Sequence, residues 1–128
     1  MAIPNLSDKK ILVVEDDDMS FLYLNQLFLL TKAFVQREKT GIGALTEFKN
    51  GSYDLVLMDI QLPDMDGKQV TREIRKFNTE VPIIAQTASR AFDERDVIML
   101  SGCTDVLSKP FSMNEIFNLI EKYLSRQG

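Results

Sequence analysis

Two spacings of apolar residues alternate along this chain. Runs in which nearly every residue is apolar give way to stretches in which apolar residues return every third or fourth position. "KKILVVE" is a run of the first kind, and the segment from Asp18 to Thr31 reads as a helix. "AFVQRE" predicts a short strand, and "GIGALTEFKNG" a helix with Ile42, Leu45 and Phe48 inward and a stop at Gly51. "YDLVLMD" is a strand, followed by "GKQVTREIRKFN" with Val70, Ile74 and Phe77 on one face. "VPIIAQT" is a strand, a weaker helix runs from about Phe92 to Leu100, and "TDVLSK" is a strand. The last helix opens with "SMNE", a capping-box pattern from Ser112 to Glu115, and Met113, Ile116, Phe117, Ile120 and Leu124 line its inner face.

Strands that alternate with helices of this length imply an α/β fold with right-handed crossovers and a parallel sheet. "ILVV", "LVLM" and "PIIA" are apolar throughout, as inner strands covered on both faces must be, whereas "FVQRE" alternates and "DVLS" is mixed, which suits edges. A doubly wound (βα)5 sheet of five strands in the order 2-1-3-4-5 satisfies all of this. Residues 9–128 make one domain on this reading, and residues 1–8 a loose tail.

In such a sheet, ligands bind beyond the carboxyl ends of the strands. Strand 1 ends in Glu15 and Asp16, strand 3 in Asp59, strand 4 in Thr87 and strand 5 in Lys109. Three carboxylates, a hydroxyl and an ammonium therefore meet on one rim. The chain has no histidine and a single cysteine, Cys103, so histidine triads, histidine zinc sites and an internal disulfide are excluded. Clustered carboxylates without softer ligands suit a hard divalent cation, Mg2+ or Mn2+. A cation would turn an acidic pocket into one that attracts phosphate, and with Lys109 and Thr87 the set suits phosphoryl transfer to Asp59 as nucleophile. Taken singly, each residue has a plainer role: an acidic helix start for Glu15 to Asp18, a turn for Asp59, a loop lysine for Lys109. Their joint placement at adjacent strand ends is what favours a site, and Asp17 and Asp18 stay with the helix start.

Net charge is −4 with no basic run, which argues against direct binding of nucleic acid. No apolar stretch is long enough to span a membrane, and "MAIPNLSDKK" lacks the core of a signal peptide. A single cysteine fits a cytoplasmic, reducing setting.

The fragments "ILVVEDD", "DLVLMDIQLPDMDG", "PIIAQTA" and "LSKPF", in this order and spacing, resemble the receiver domains of two-component response regulators over about Lys10 to Leu124. In style they are closest to receivers of hybrid sensor histidine kinases. The resemblance implies a flavodoxin-like fold and a phosphoacceptor role in a phosphorelay. By the same resemblance Asp59 takes the phosphoryl group from a phosphohistidine, and Asp16, Glu15, Asp59 and the Gln61 carbonyl hold magnesium. Lys109 pairs with the phosphoacceptor, and the Thr87 hydroxyl and Ala88 N–H meet the phosphoryl oxygens. The Lys109–Pro110 bond is expected to be cis, and Gln61 and Ser89 to flank the path of the hydrolytic water. The expected partner is a sensor histidine kinase or a histidine phosphotransfer protein. The domain is expected to catalyse only its own phosphorylation and dephosphorylation, with no membrane contact.

One position departs from the family pattern. Three residues before Lys109 the family often has an aromatic ring that swings inward; here it is Val106, which is small and stiff. The first helix offers more apolar residues than one buried stripe needs: Met19, Phe21, Leu22 and Tyr23 either form part of a docking face or simply pack the core and stand singly exposed. A phosphatase of the haloacid-dehalogenase type would want an aspartate where Gln61 stands. A flavin binder would want a phosphate-cradling loop where "EDDDMS" stands.

Overall fold

The structure, a computed structural model, describes residues 3–89 and 92–124, with the side chain of Phe92 excepted. Five strands and five helices alternate: β1 (Lys10–Val14), α1 (Asp18–Thr31), β2 (Phe34–Glu38), α2 (Gly41–Asn50), β3 (Leu55–Asp59), α3 (Gly67–Arg75), β4 (Ile83–Thr87), α4 (Phe92–Leu100), β5 (Asp105–Ser108) and α5 (Met113–Leu124). All strand pairs are parallel and the order is β2-β1-β3-β4-β5. The expected order and edges are the observed ones.

Side-chain alternation in the strands divides the interior into two cores. Leu12, Val14, Val56, Met58, Ile83 and Ala85 face α2, α3 and α4. Ile11, Val13, Leu55, Leu57, Ile84 and Leu107 face α1 and α5. Each fully buried aliphatic side chain stabilises the fold by roughly 1.5–3 kcal/mol relative to exposure. Helix ends follow local chemistry. The Asp17 carboxylate accepts the Ser20 N–H, Thr40 Oγ1 accepts the Gly43 N–H, and Ser112 and Glu115 form the expected capping box.

Three expectations need correction. Ile42 is 66% exposed, because α2 begins at Gly41 and its inward stripe is Gly41, Ala44, Phe48. Phe77 lies past the end of α3 and is half exposed, leaning on Phe48 with ring centroids 5.8 Å apart. Within residues 1–8, Leu6 is not loose: its side chain is buried in the α1/α5 core and its N–H donates to Thr31 O at 2.7 Å.

Candidate functional site

The residues expected at the rim do come together. Glu15 and Asp16 follow β1 directly, Asp59 closes β3, Thr87 closes β4 and Lys109 follows β5. A cavity of about 800 Å3 is lined by all five, and by Gln61, Ala88 and Ser89. Carboxylate oxygens of Glu15, Asp16 and Asp59 lie within 4.8 Å of one another, close enough for one cation to be shared.

The three acids are not equivalent. Glu15 is fully buried; its Oε1 accepts from Lys109 Nζ at 3.0 Å and its Oε2 from the Asp17 N–H at 3.1 Å. Its backbone is held too, the N–H on Glu38 O and the carbonyl under Arg37 Nε. Asp16 is exposed and faces solvent at the cavity mouth. Asp59 is buried, and its Oδ1 accepts the Gln61 N–H at 3.2 Å. Burial pushes the Asp59 carboxyl up to about 7, with the nearby Glu15 carboxylate adding to the rise and Lys109 opposing it.

Lys109 pairs with Asp59 as expected, at 3.7 Å, but its nearer partner is Glu15. A fully buried carboxylate has no water to share its charge with, so it holds the ammonium more closely. The Lys109–Pro110 bond is cis. The Thr87 hydroxyl accepts the Ser89 N–H at 3.1 Å, which ties it to the loop after β4. Asp17 caps α1 and Asp18 pairs with Arg37 at 2.9 Å, so both serve the helix start.

Two residues here were not singled out by sequence reasoning. Asp64, in the loop after Asp59, accepts the Gly41 and Ile42 N–H groups at 2.8 and 3.0 Å, and these donors hold its carboxyl below the usual range. It fastens the loop to the start of α2, a pairing without local sequence signal. Gln86 is fully buried in β4, and neither end of its amide has a hydrogen-bond partner among the described residues. An unpaired buried polar group costs on the order of 1–3 kcal/mol. Its signal was in plain view: one amide inside the run "PIIAQT". At the other end of the loop, a Cβ on Gly67 would collide with the backbone carbonyl oxygen of Asp59, so only glycine lets α3 start against the strand.

Sequence profiles of known families agree with this geometry. The family described as "Response regulator receiver domain" matches residues 11–121. The chain is a response regulator receiver domain. The receiver is 36% identical over 130 residues to the aerobic respiration control sensor protein ArcB of Escherichia coli K12, covering 99% of this chain and 16% of that protein. Among solved structures it is similar to the receiver domain of sensor histidine kinase PA1611 from Pseudomonas aeruginosa PAO1, which has a magnesium ion in its active site cleft. That match has 32% identity and a TM-score of 0.85, and covers 91% of this chain and 98% of that one. It is also similar to a structure of the Saccharomyces cerevisiae phosphotransfer protein Ypd1 with the receiver domain of Ssk1, at 27% identity and a TM-score of 0.88, covering 99% and 94%. The receiver spans about a fifth or less of the length of curated relatives such as ArcB.

Proposed function

We propose that this receiver takes a phosphoryl group onto Asp59 from a phosphohistidine of a kinase or phosphotransfer partner and passes it on or switches with it. The observation that carries the reading is the meeting of Asp59 with Glu15, Asp16 and Lys109 in one cavity. Hard oxygen ligands and no histidine or sulfur fit magnesium, held by Glu15, Asp16, Asp59 and the Gln61 carbonyl. Bound there, the cation supplies positive charge that offsets the repulsion among the acids and favours the ionised Asp59 carboxylate.

An ionised Asp59 oxygen attacks phosphorus in line. The P–O bond forms as the P–N bond to the donor imidazole breaks, and the imidazole nitrogen takes up a proton. Lys109 stands 3.7 Å from Asp59 and can follow the charge onto the phosphoryl oxygens. Thr87 and Ala88 line the same cavity, and the hydroxyl of the one and the N–H of the other would donate to those oxygens. Gln61 and Ser89 also line the cavity, and their side chains would flank the approach of water.

Docking belongs to the exposed start of α1. Met19, Leu22 and Tyr23 are exposed, whereas Phe21 is half buried under Arg37, 4.6 Å from its ring centroid, and leaves the proposed surface. Val106 is buried on the α4 side of the sheet, so a swinging ring is replaced by a fixed packing residue. Such a receiver suits relay better than rotation-driven output. None of the helices among the described residues is long and apolar enough to cross a membrane. A cytoplasmic setting fits the reading.

The test is direct. With magnesium and acetyl phosphate, mass spectrometry should find the phosphoryl group on Asp59, and Asp59→Ala should abolish it. Labelling of another residue, or none with magnesium present, defeats the reading.

A further inference from the structure

Gln86 stands in β4 with its amide open at both ends among the described residues. Protein interiors pair such groups, so the Gln86 amide is open to a polar partner that reaches the wall it stands in. The neighbours are fixed by the sheet. Gln86 is the register partner of Asp59 on one side and of Leu107 on the other. Strand alternation puts it on the α1/α5 face with Ile84 and Leu107, and Lys109 lies two residues beyond Leu107 on that face. A second cavity of about 520 Å3, framed by Met19, Tyr23, Pro110 and Phe111, adjoins the acidic one. Gln86 and Lys109 are the two residues that line both cavities.

Lys109 has three N–H donors and no acceptor, and Glu15 Oε1 takes one of them at 3.0 Å. A cation shared by the three acids draws on the same Glu15 carboxylate. The ammonium then keeps Asp59 at 3.7 Å and has a donor free for another acceptor on the wall it shares with Gln86. We propose that Gln86 is a positioning residue for Lys109. Its Oε1 accepts the ammonium as Glu15 turns to the cation, and so keeps Nζ beside Asp59 instead of in the second cavity. A half-turn of the amide exchanges its oxygen and nitrogen, so the acceptor can be turned toward either of the two cavities that Gln86 lines. Gln86 touches no reacting atom and acts through Lys109. The inference rests on the phosphoacceptor reading above.

Gln86→Met and Gln86→Leu remove the acceptor while keeping the volume roughly constant. At saturating magnesium each should slow phosphorylation of Asp59 by acetyl phosphate about tenfold, the scale of one lost hydrogen bond to a charged group. Metal-free melting should stay level or rise, since an open buried amide has gone; a purely structural glutamine would give a fall. In a Lys109→Met background, Gln86→Met should slow the reaction no further. In lysine-15N NMR with magnesium bound, the Lys109 Nζ signal should move or broaden in both variants. Wild-type rates in the variants, equal slowing without Lys109, or an unmoved Nζ signal would overturn the proposal. If the wild-type protein itself takes no phosphoryl group, the phosphoacceptor reading fails, and the Nζ signal still decides on Gln86.

Discussion

The middle of the sheet and its carboxyl rim are cut from the same strands and obey opposite rules. In β3, Leu55 to Met58 are buried among aliphatic neighbours from both cores, and one residue further on Asp59 is buried against two other carboxylates. The middle gains from every contact it makes. At the rim, burial raises the Asp59 carboxyl to about 7, and Glu15 is fully enclosed with an ammonium and one N–H on its oxygens. The contrast teaches where stability and readiness are separated: the apolar strands hold charges together that would otherwise move apart.

Substitutions can break that contrast at either end. The largest effect on stability is expected in the middle. Leu57→Ala should cost about 2–5 kcal/mol in denaturant unfolding, yet the folded fraction should still accept phosphoryl at Asp59. Loss of labelling in protein shown to be folded would mean that middle and rim are not separable. At the rim, Asp16→Ala should weaken magnesium at least tenfold by calorimetry, since loss of even a group that only orients a ligand costs about 10–100-fold. Asp17→Ala should leave affinity close to unchanged, since that carboxylate caps α1. Equal losses would merge the two residues into one site.

A smaller effect has a definite sign. Asp59 in the folded, metal-free protein holds its proton up to about pH 7, against 3.8 as the ordinary value. Its contribution to stability is therefore full below the ordinary value and is lost as pH rises through about 7. Asp59→Asn should raise the melting temperature by a few degrees at about pH 8 without divalent cations, and by less at about pH 5. A gain independent of pH would show that the carboxyl is ionised throughout. Because the cation displaces that proton, apparent magnesium affinity should climb with pH below about 7 and level off above it. The smallest change is expected at the surface. Leu22→Ala should slow transfer from a cognate phosphotransfer partner several-fold while acetyl phosphate labelling is unchanged; equal slowing of both would move the effect from docking to chemistry.

Much of this was legible in the chain because parallel sheets write themselves plainly. Inner strands such as "ILVV" carry no polar residue, so the order and the rim followed together, and each site residue stands at or just after a strand end. Other features depend on contacts that have no local trace. The phase of α2 turned on where its first residue falls, and starting at Gly41 sends Ile42 outward. Leu6 lies in a segment without period, and only the chain folding back on α1 reveals its place. That Lys109 prefers Glu15 to Asp59 reflects relative burial, which spacing does not encode. The amide of Gln86 was visible as an odd letter in an apolar run, but its open ends appear only when every neighbour is known.

Leu6 also has a mechanical meaning. It is pinned by Thr31 at the last turn of α1, and α1 is a rod of 14 residues, about 21 Å long, whose first turn is capped by Asp17 beside the acids. A segment joined upstream of Leu6 would take hold at the far end of that rod. Pulling the chain away there would first have to draw Leu6 out of the α1/α5 core and break its hydrogen bond to Thr31.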